Sequence, residues 1–213
     1  MKKLLFLLAF VIWKGIAIHG IPSSYAKFLM GYHELGAKLV LLCFFVILFY
    51  RDLLDRLKEL KVLSLIKIGL LTFVAILLTT VFFNQIIFPG EQSMTFYYPS
   101  SQRTVPLLLG ALVVGPLFEE MFYRYTLIYT GRKRWLRIVT TLCSLLLFSW
   151  AHIVNANGNI FLLYPYFIIG FWLTIVYLRN KNPWESVFAH IAYNSLVVLL
   201  AIIGGSASVD FAD

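Results

Sequence analysis

GPLFEEMFYRYTLIY (115–129) sets two adjacent carboxylates, Glu119 and Glu120, and one guanidinium, Arg124, inside a run that is otherwise apolar and aromatic. Charges in hydrophobic helices are expensive at bilayer depth and persist where they pair with one another or line a functional cavity. The same reading, carried outward, picks out His152 in LLLFSWAHIV (145–154), and His190 with Asn194 in HIAYN (190–194). An acid pair, an arginine, two histidines and an asparagine in three hydrophobic segments read as a buried reaction site.

Composition agrees with a membrane setting. Of 213 residues, 61% are hydrophobic and only 13% charged, with a mean hydropathy of +0.84. That leaves too little polar surface to cover a soluble core. The apolar runs are long and do not alternate, which argues against a membrane barrel. The fold expected is all-α, a polytopic integral membrane bundle of about seven transmembrane helices in one domain, 1–213. The net charge of +8 is explained by basic cytoplasmic loops rather than by nucleic acid, because no single face collects the basic residues. Cys43 and Cys143 lie in apolar runs as small hydrophobes, without metal-ligand spacing.

Seven spans are expected: a retained first helix from Lys2-Lys3 onward, then about 37–50, 62–88, 105–129, 136–154, 160–178 and 184–203. RDLLDRLKELK (51–61) has leucines at helical spacing among charges of both signs and reads as an amphipathic interfacial helix. Breaks are expected at Pro89-Gly90, in an aromatic loop over 89–104, at 131–134, in a turn over 155–159 and at 179–183; residues 205–213 form a tail. Lys2, Lys3, Arg51, Arg56, Lys58, Lys61, Lys67, Arg132, Lys133, Arg134, Arg137, Arg179 and Lys181 fall on one side of this alternation. The opposite loops hold only Lys27, Lys38 and Arg103. The basic side marks the cytoplasm, so the N-terminus is expected inside and the C-terminus outside a plasma membrane.

Glu120 and Arg124 stand four apart with the acid first, the favourable order for an ion pair. Glu119 projects about 100° away and lacks a partner in its own segment, which suits a general base acting on water. Pro116 removes a backbone bond to Leu112 and is expected to kink the helix just before the acids. His190 and Asn194 share one helix face and could donate to a developing oxyanion. Each group also has a structural reading: salt bridge, interhelical bridge, satisfied histidine. Glu119, His152 and His190 could equally hold zinc or iron, although neither HExxH nor Glu-x-x-His occurs. A metal-bound water and a water activated by Glu119 directly both stand as alternatives.

Together EEMFYR (119–124), FSWAH (148–152) and HIAYN (190–194) resemble the EExxxR, FxxxH and HxxxN/D motifs of the CAAX-protease and bacteriocin-processing (Abi) family, which includes the type II CAAX prenyl endopeptidases. The resemblance covers about 104–201. It implies that Glu119 activates the attacking water with help from His152, that His190 and Asn194 stabilise the oxyanion, and that Glu120 and Arg124 form the structural pair. The family often has Phe-Arg-Gly where Tyr123-Arg124-Tyr125 stands, and small residues where Trp150-Ala151 stands. Tyr125 would then crowd the site, a departure that bears on substrate class. By this resemblance the chain is an intramembrane peptidase, glutamate-type or metallo-type, acting on a membrane peptide or protein. A bacteriocin self-immunity protein of the same family is the alternative, and a small membrane transporter the second; the latter would show repeated halves, and no repeat occurs. One geometric tension remains at this level. Counted at 1.5 Å per residue, Glu119 lies roughly 15 Å and His190 roughly 10 Å from the inner ends of their spans, against roughly 22–24 Å for His152.

Overall fold

The computed structural model describes residues 1–19, 26–86, 105–156 and 158–203. Among these residues every regular element is helical. The Pro89-Gly90 break, the loop 89–104, the tail 205–213 and Asn157 of the expected turn lie outside them. Seven helices follow one another. They are α1 (Lys2–His19), α2 (Ala26–Lys58), α3 (Val62–Ile86), α4 (105–127), α5 (Arg134–Trp150), α6 (Tyr164–Asn180, preceded by a 3₁₀ turn at Ile160–Leu163) and α7 (Pro183–Ile203). Two stretches, Val62–Ile86 and Ile160–Asn180, are long and apolar enough to cross a membrane. Leu63, Leu71, Leu78, Ile47, Leu146 and Val11 turn outward, as expected of a molecule solvated by lipid.

Three expectations need correction. The second span and the interfacial helix are one 33-residue rod, α2, because nothing between Tyr50 and Arg51 breaks a helix. At 1.5 Å per residue it runs about 50 Å, with Arg56 and Lys58 in its last turn, where cations complement the helix dipole. Lys38 therefore sits inside a helix and not in a loop. The fifth helix ends at Trp150, so His152 stands beyond its end, in the turn.

The third correction concerns α4. Pro116 is accommodated by a change of helical register: Gly110–Val114 and Glu120–Leu127 are π-helical turns on either side of an α-helical stretch, Gly115–Glu119. The Gly115 N–H reaches back to the Gly110 carbonyl, and proline has no N–H to give. π turns of this kind are frequent at functional sites. Hydroxyls take up carbonyls in the second one: Thr126 donates to Met121 O at 2.8 Å and Ser144 to Tyr123 O at 2.7 Å.

An aromatic core supports α4. Phe6 meets Phe45 edge-on at 4.9 Å, and Phe10 lies 4.1 Å from Phe122. α3 packs on α6 and α7, α5 on α6 and on the second π turn, and α2 on the Gly115–Glu119 stretch. The turn between α6 and α7 is closed by Lys181 in the left-handed conformation, φ 55°, with its N–H on Tyr177 O at 2.7 Å.

Candidate active site

Glu120 and Arg124 form the buried pair: Arg124 Nη1 lies 3.0 Å from Glu120 Oε1, and both side chains are fully buried. The same carboxylate oxygen lies 3.0 Å from Nδ1 of His190 on α7. A carboxylate on Nδ1 places a ring proton there and turns Nε2 the other way. Nε2 lies 4.0 Å from Oε2 of Glu119. Glu119 is thus brought to His190 across the interface of α4 and α7, while Glu120 fixes the imidazole from behind.

Arg124 has two further partners. Its Nη2 donates to Gly170 O at 3.1 Å, and its guanidinium carbon lies 4.3 Å above the Phe148 ring, a cation–π contact. A Cβ at position 170 would come within 2.8 Å of Phe148 Cδ1, so glycine is what lets Phe148 approach the arginine. Phe148 also positions both histidines: its ring is 6.1 Å from that of His190, and its carbonyl takes Nδ1 of His152 at 2.9 Å. His152 stacks on Tyr166, centroids 4.3 Å apart at 21°, with its Nδ1 proton committed to the end of α5 and Nε2 as its remaining nitrogen. The ring lies within electrostatic range of Glu119 and His190.

Asn194 has a task that motif spacing could not disclose. Its Nδ2 donates to the Ala111 carbonyl at 3.2 Å. In an unbroken α-helix that carbonyl would take the N–H of residue 115, but Gly115 bonds Gly110 and Pro116 has none to offer. Asn194 therefore satisfies the acceptor that the π turn leaves over, with its second amide N–H still available.

The three side chains considered as metal ligands do not gather as such. Among the described residues no three His, Cys, Asp or Glu side chains come together as a metal-holding group. Tyr125, expected to crowd the site, instead packs its ring 5.2 Å from Phe49 and donates its hydroxyl to Asp52 at 2.7 Å. An apolar cleft of about 550 Å³ opens beside α5, lined by Leu146, Trp150, Phe161, Tyr164 and Phe167; Glu119, His152 and His190 do not line it. Lys38 is the residue the sequence reading missed. Its ammonium lies 4.0 Å from Glu119 Oε1 and 3.1 Å from Glu34.

Two helical stretches long and apolar enough to cross a membrane thus accompany a buried acid–imidazole cluster. A family model described as type II CAAX prenyl endopeptidase Rce1-like matches residues 101–196. That segment carries all three motifs. UPF0177 protein YaiH of Lactococcus lactis subsp. lactis is 26% identical over 93% of this chain and 88% of its own length. A UPF0177 protein from the abiGi 5′ region of Lactococcus lactis subsp. cremoris is 26% identical over 95% of this chain and 93% of its own. YdiL of Bacillus subtilis, named as a candidate membrane peptidase, is 30% identical over 47% of this chain and 39% of its own length. No solved structure matches with comparable significance.

Proposed function

We propose that the chain is an intramembrane endopeptidase that hydrolyses a peptide bond of a membrane peptide or protein by direct attack of water. The observation that carries this reading is the 4.0 Å separation of Glu119 Oε2 from His190 Nε2, with Glu120 and Arg124 behind the imidazole. A single water can sit about 2.8 Å from both groups at once. Glu119 takes a proton from that water while its oxygen adds to the scissile carbonyl carbon. The resulting oxyanion is met by Asn194's second amide N–H and by His190 Nε2–H. In this scheme His190 carries both protons, with a carboxylate facing each nitrogen. Glu119 then returns its proton to the amide nitrogen, the C–N bond breaks, and a carboxyl and an amine terminus leave. His152 Nε2 assists Glu119 on the water. Only protein groups act in these steps, so cleavage is expected to persist in a chelator.

In the same reading all seven helices cross the plasma membrane as one domain over 1–213, with the N-terminus cytoplasmic and the C-terminus outside. Outward apolar side chains on α1, α2, α3 and α5 support this. The decisive variant is Glu119→Gln, which keeps size and leaves the buried pair alone. Cleavage of a membrane peptide by the purified protein is expected to drop at least about 10²–10⁴-fold, the usual share of a general base, with thermal unfolding unchanged. Turnover near the wild-type rate in that variant would overturn the mechanism.

A further inference from the structure

Lys38 owes its place beside Glu119 to close packing of α2 on α4. Gly110 has Leu35 pressed against it so tightly that a Cβ there would lie 2.9 Å from Leu35 Cδ1. Lys38 follows Leu35 by three residues and shares its helix face, so the approach that seats Leu35 delivers the ammonium to the site. Its two carboxylate neighbours differ. Glu34 is half-exposed, at 53%, while Glu119 is 17% exposed. Gly115 leaves space on the same side, since a Cβ there would stand 3.8 Å from Glu119 Oε1.

The oxygens of Glu119 are thereby divided: Oε1 faces Lys38 and Oε2 faces His190, each at 4.0 Å. A carboxylate that rotated by half a turn would present the same pair, but one held by neither neighbour would not keep an oxygen on the water. We propose that Lys38 is a positioning residue of the active site, its ammonium orienting the Glu119 carboxylate and balancing its charge so that Oε2 is presented to the attacking water. A lysine in an i,i+4 pair is more often a surface ion pair of small energetic consequence; its reach to Glu119 sets this one apart. Among the described residues, other titratable or charged groups that act with Glu119 or Lys38 include Tyr123 and Arg124 on α4, His152 in the turn, Tyr166 on α6 and His190 on α7.

The kinetic test rests on the endopeptidase reading above; a labelling test does not. In full-length protein reconstituted in nanodiscs, Lys38→Met is expected to lower kcat roughly 100-fold, the size of effect that misplacing a reacting group by about 1 Å produces. KM should stay within about twofold and Lys38→Arg should retain most activity, as expected of a cation that orients a carboxylate. Lys38→Cys, made after replacing the exposed Cys43 and Cys143 by Ala, should be inactive until 2-bromoethylamine restores an ammonium. A rise in KM at constant kcat would mean that Lys38 binds substrate, and unchanged kinetics would mean a plain surface pair; either overturns the inference. Independently of turnover, dicyclohexylcarbodiimide labelling of Glu119, read by mass spectrometry, should rise in Lys38→Met and not in Lys38→Arg. Equal labelling in wild type and Lys38→Met overturns it as well. Lys38→Gln takes the place of Lys38→Met if the latter unfolds. Absence of cleavage by wild-type protein together with the expected labelling pattern would sink the endopeptidase reading and leave the role of Lys38 standing.

Discussion

Two ion pairs in this molecule have the same sequence form, an acid followed four residues later by an arginine, and opposite physical situations. Glu120 and Arg124 lie in α4 with both side chains fully buried. Asp52 and Arg56 lie near the end of α2, where the side chains are 44% and 29% exposed and Nε stands 2.7 Å from Oδ2. The buried pair is one part of a fixed assembly with His190, Gly170 O and the Phe148 ring. The outer pair is a tie, with Tyr125 donating to Asp52 and Arg56 Nη1 donating to Lys181 O at 2.6 Å. Spacing alone predicts both contacts. Only burial tells which one the site depends on.

The comparison breaks most readily at Arg124. Arg124→Met leaves the Glu120 charge buried beside His190 without its guanidinium, and losing one partner of a buried pair costs about 3–5 kcal/mol. The expected result is a large fall in the thermal midpoint of the detergent-solubilised protein, with cleavage lost as well. Arg124→Lys should recover little, because one ammonium cannot reach Glu120, Gly170 O and the Phe148 face together. A drop no larger than that from disrupting the Asp52 pair would mean that burial does not distinguish the two.

How much of this was legible beforehand depends on the range of the interaction. The Glu120–Arg124 contact is local, so helix periodicity alone discloses it. The helical class follows from apolar runs too long and too continuous for anything else. The meeting of Glu119 with His190 is long-range, and it came from motif resemblance rather than from spacing. The sequence pattern puts Lys38 in a loop, because a charge beside a short apolar run suggests a span boundary. Helix α2 simply continues through it, and no local signal separates a lysine facing an active site from one at a membrane edge. The π turns were also out of reach: Pro116 announces a defect in the ladder, but the carbonyl left over by the change of register, Ala111 O, is satisfied by Asn194, 83 residues later in the chain.

Gly170 provides a smaller and sharper test. It carries no chemistry, yet its missing side chain admits both Phe148 and Arg124. Gly170→Ala would place a methyl 2.8 Å from Phe148 Cδ1 and 3.5 Å from Arg124 Nη2, and overpacking of this kind costs about 1–3 kcal/mol. Because Phe148 O also holds His152, activity should fall by more than the change in stability implies. Phe148→Leu in the Gly170→Ala background should restore part of the thermal midpoint without restoring the cation–π contact. Gly170→Ala with wild-type turnover would detach Phe148 from the site.

The outer pair sets the lower end of the scale, and its pH dependence has a definite sign. Burial alone would raise the Asp52 carboxyl, but hydrogen bonds from Arg56 and Tyr125 and the charges of Arg56 and Lys3 outweigh it and hold the group below its ordinary value. A carboxylate lowered in the folded state contributes stability that is complete above its unfolded value, about 3.9, and disappears as pH falls through the lower folded value. Asp52 is largely exposed, so screening keeps this contribution below about 1 kcal/mol. Asp52→Asn should therefore lower the thermal midpoint slightly at neutral pH, and the gap to wild type should close as the pH is taken below about 4. The same titration leaves the cost of Arg124→Met in place well below neutrality if depth sets the difference between the pairs. Parallel loss of both effects over one pH range would show instead that the two behave alike.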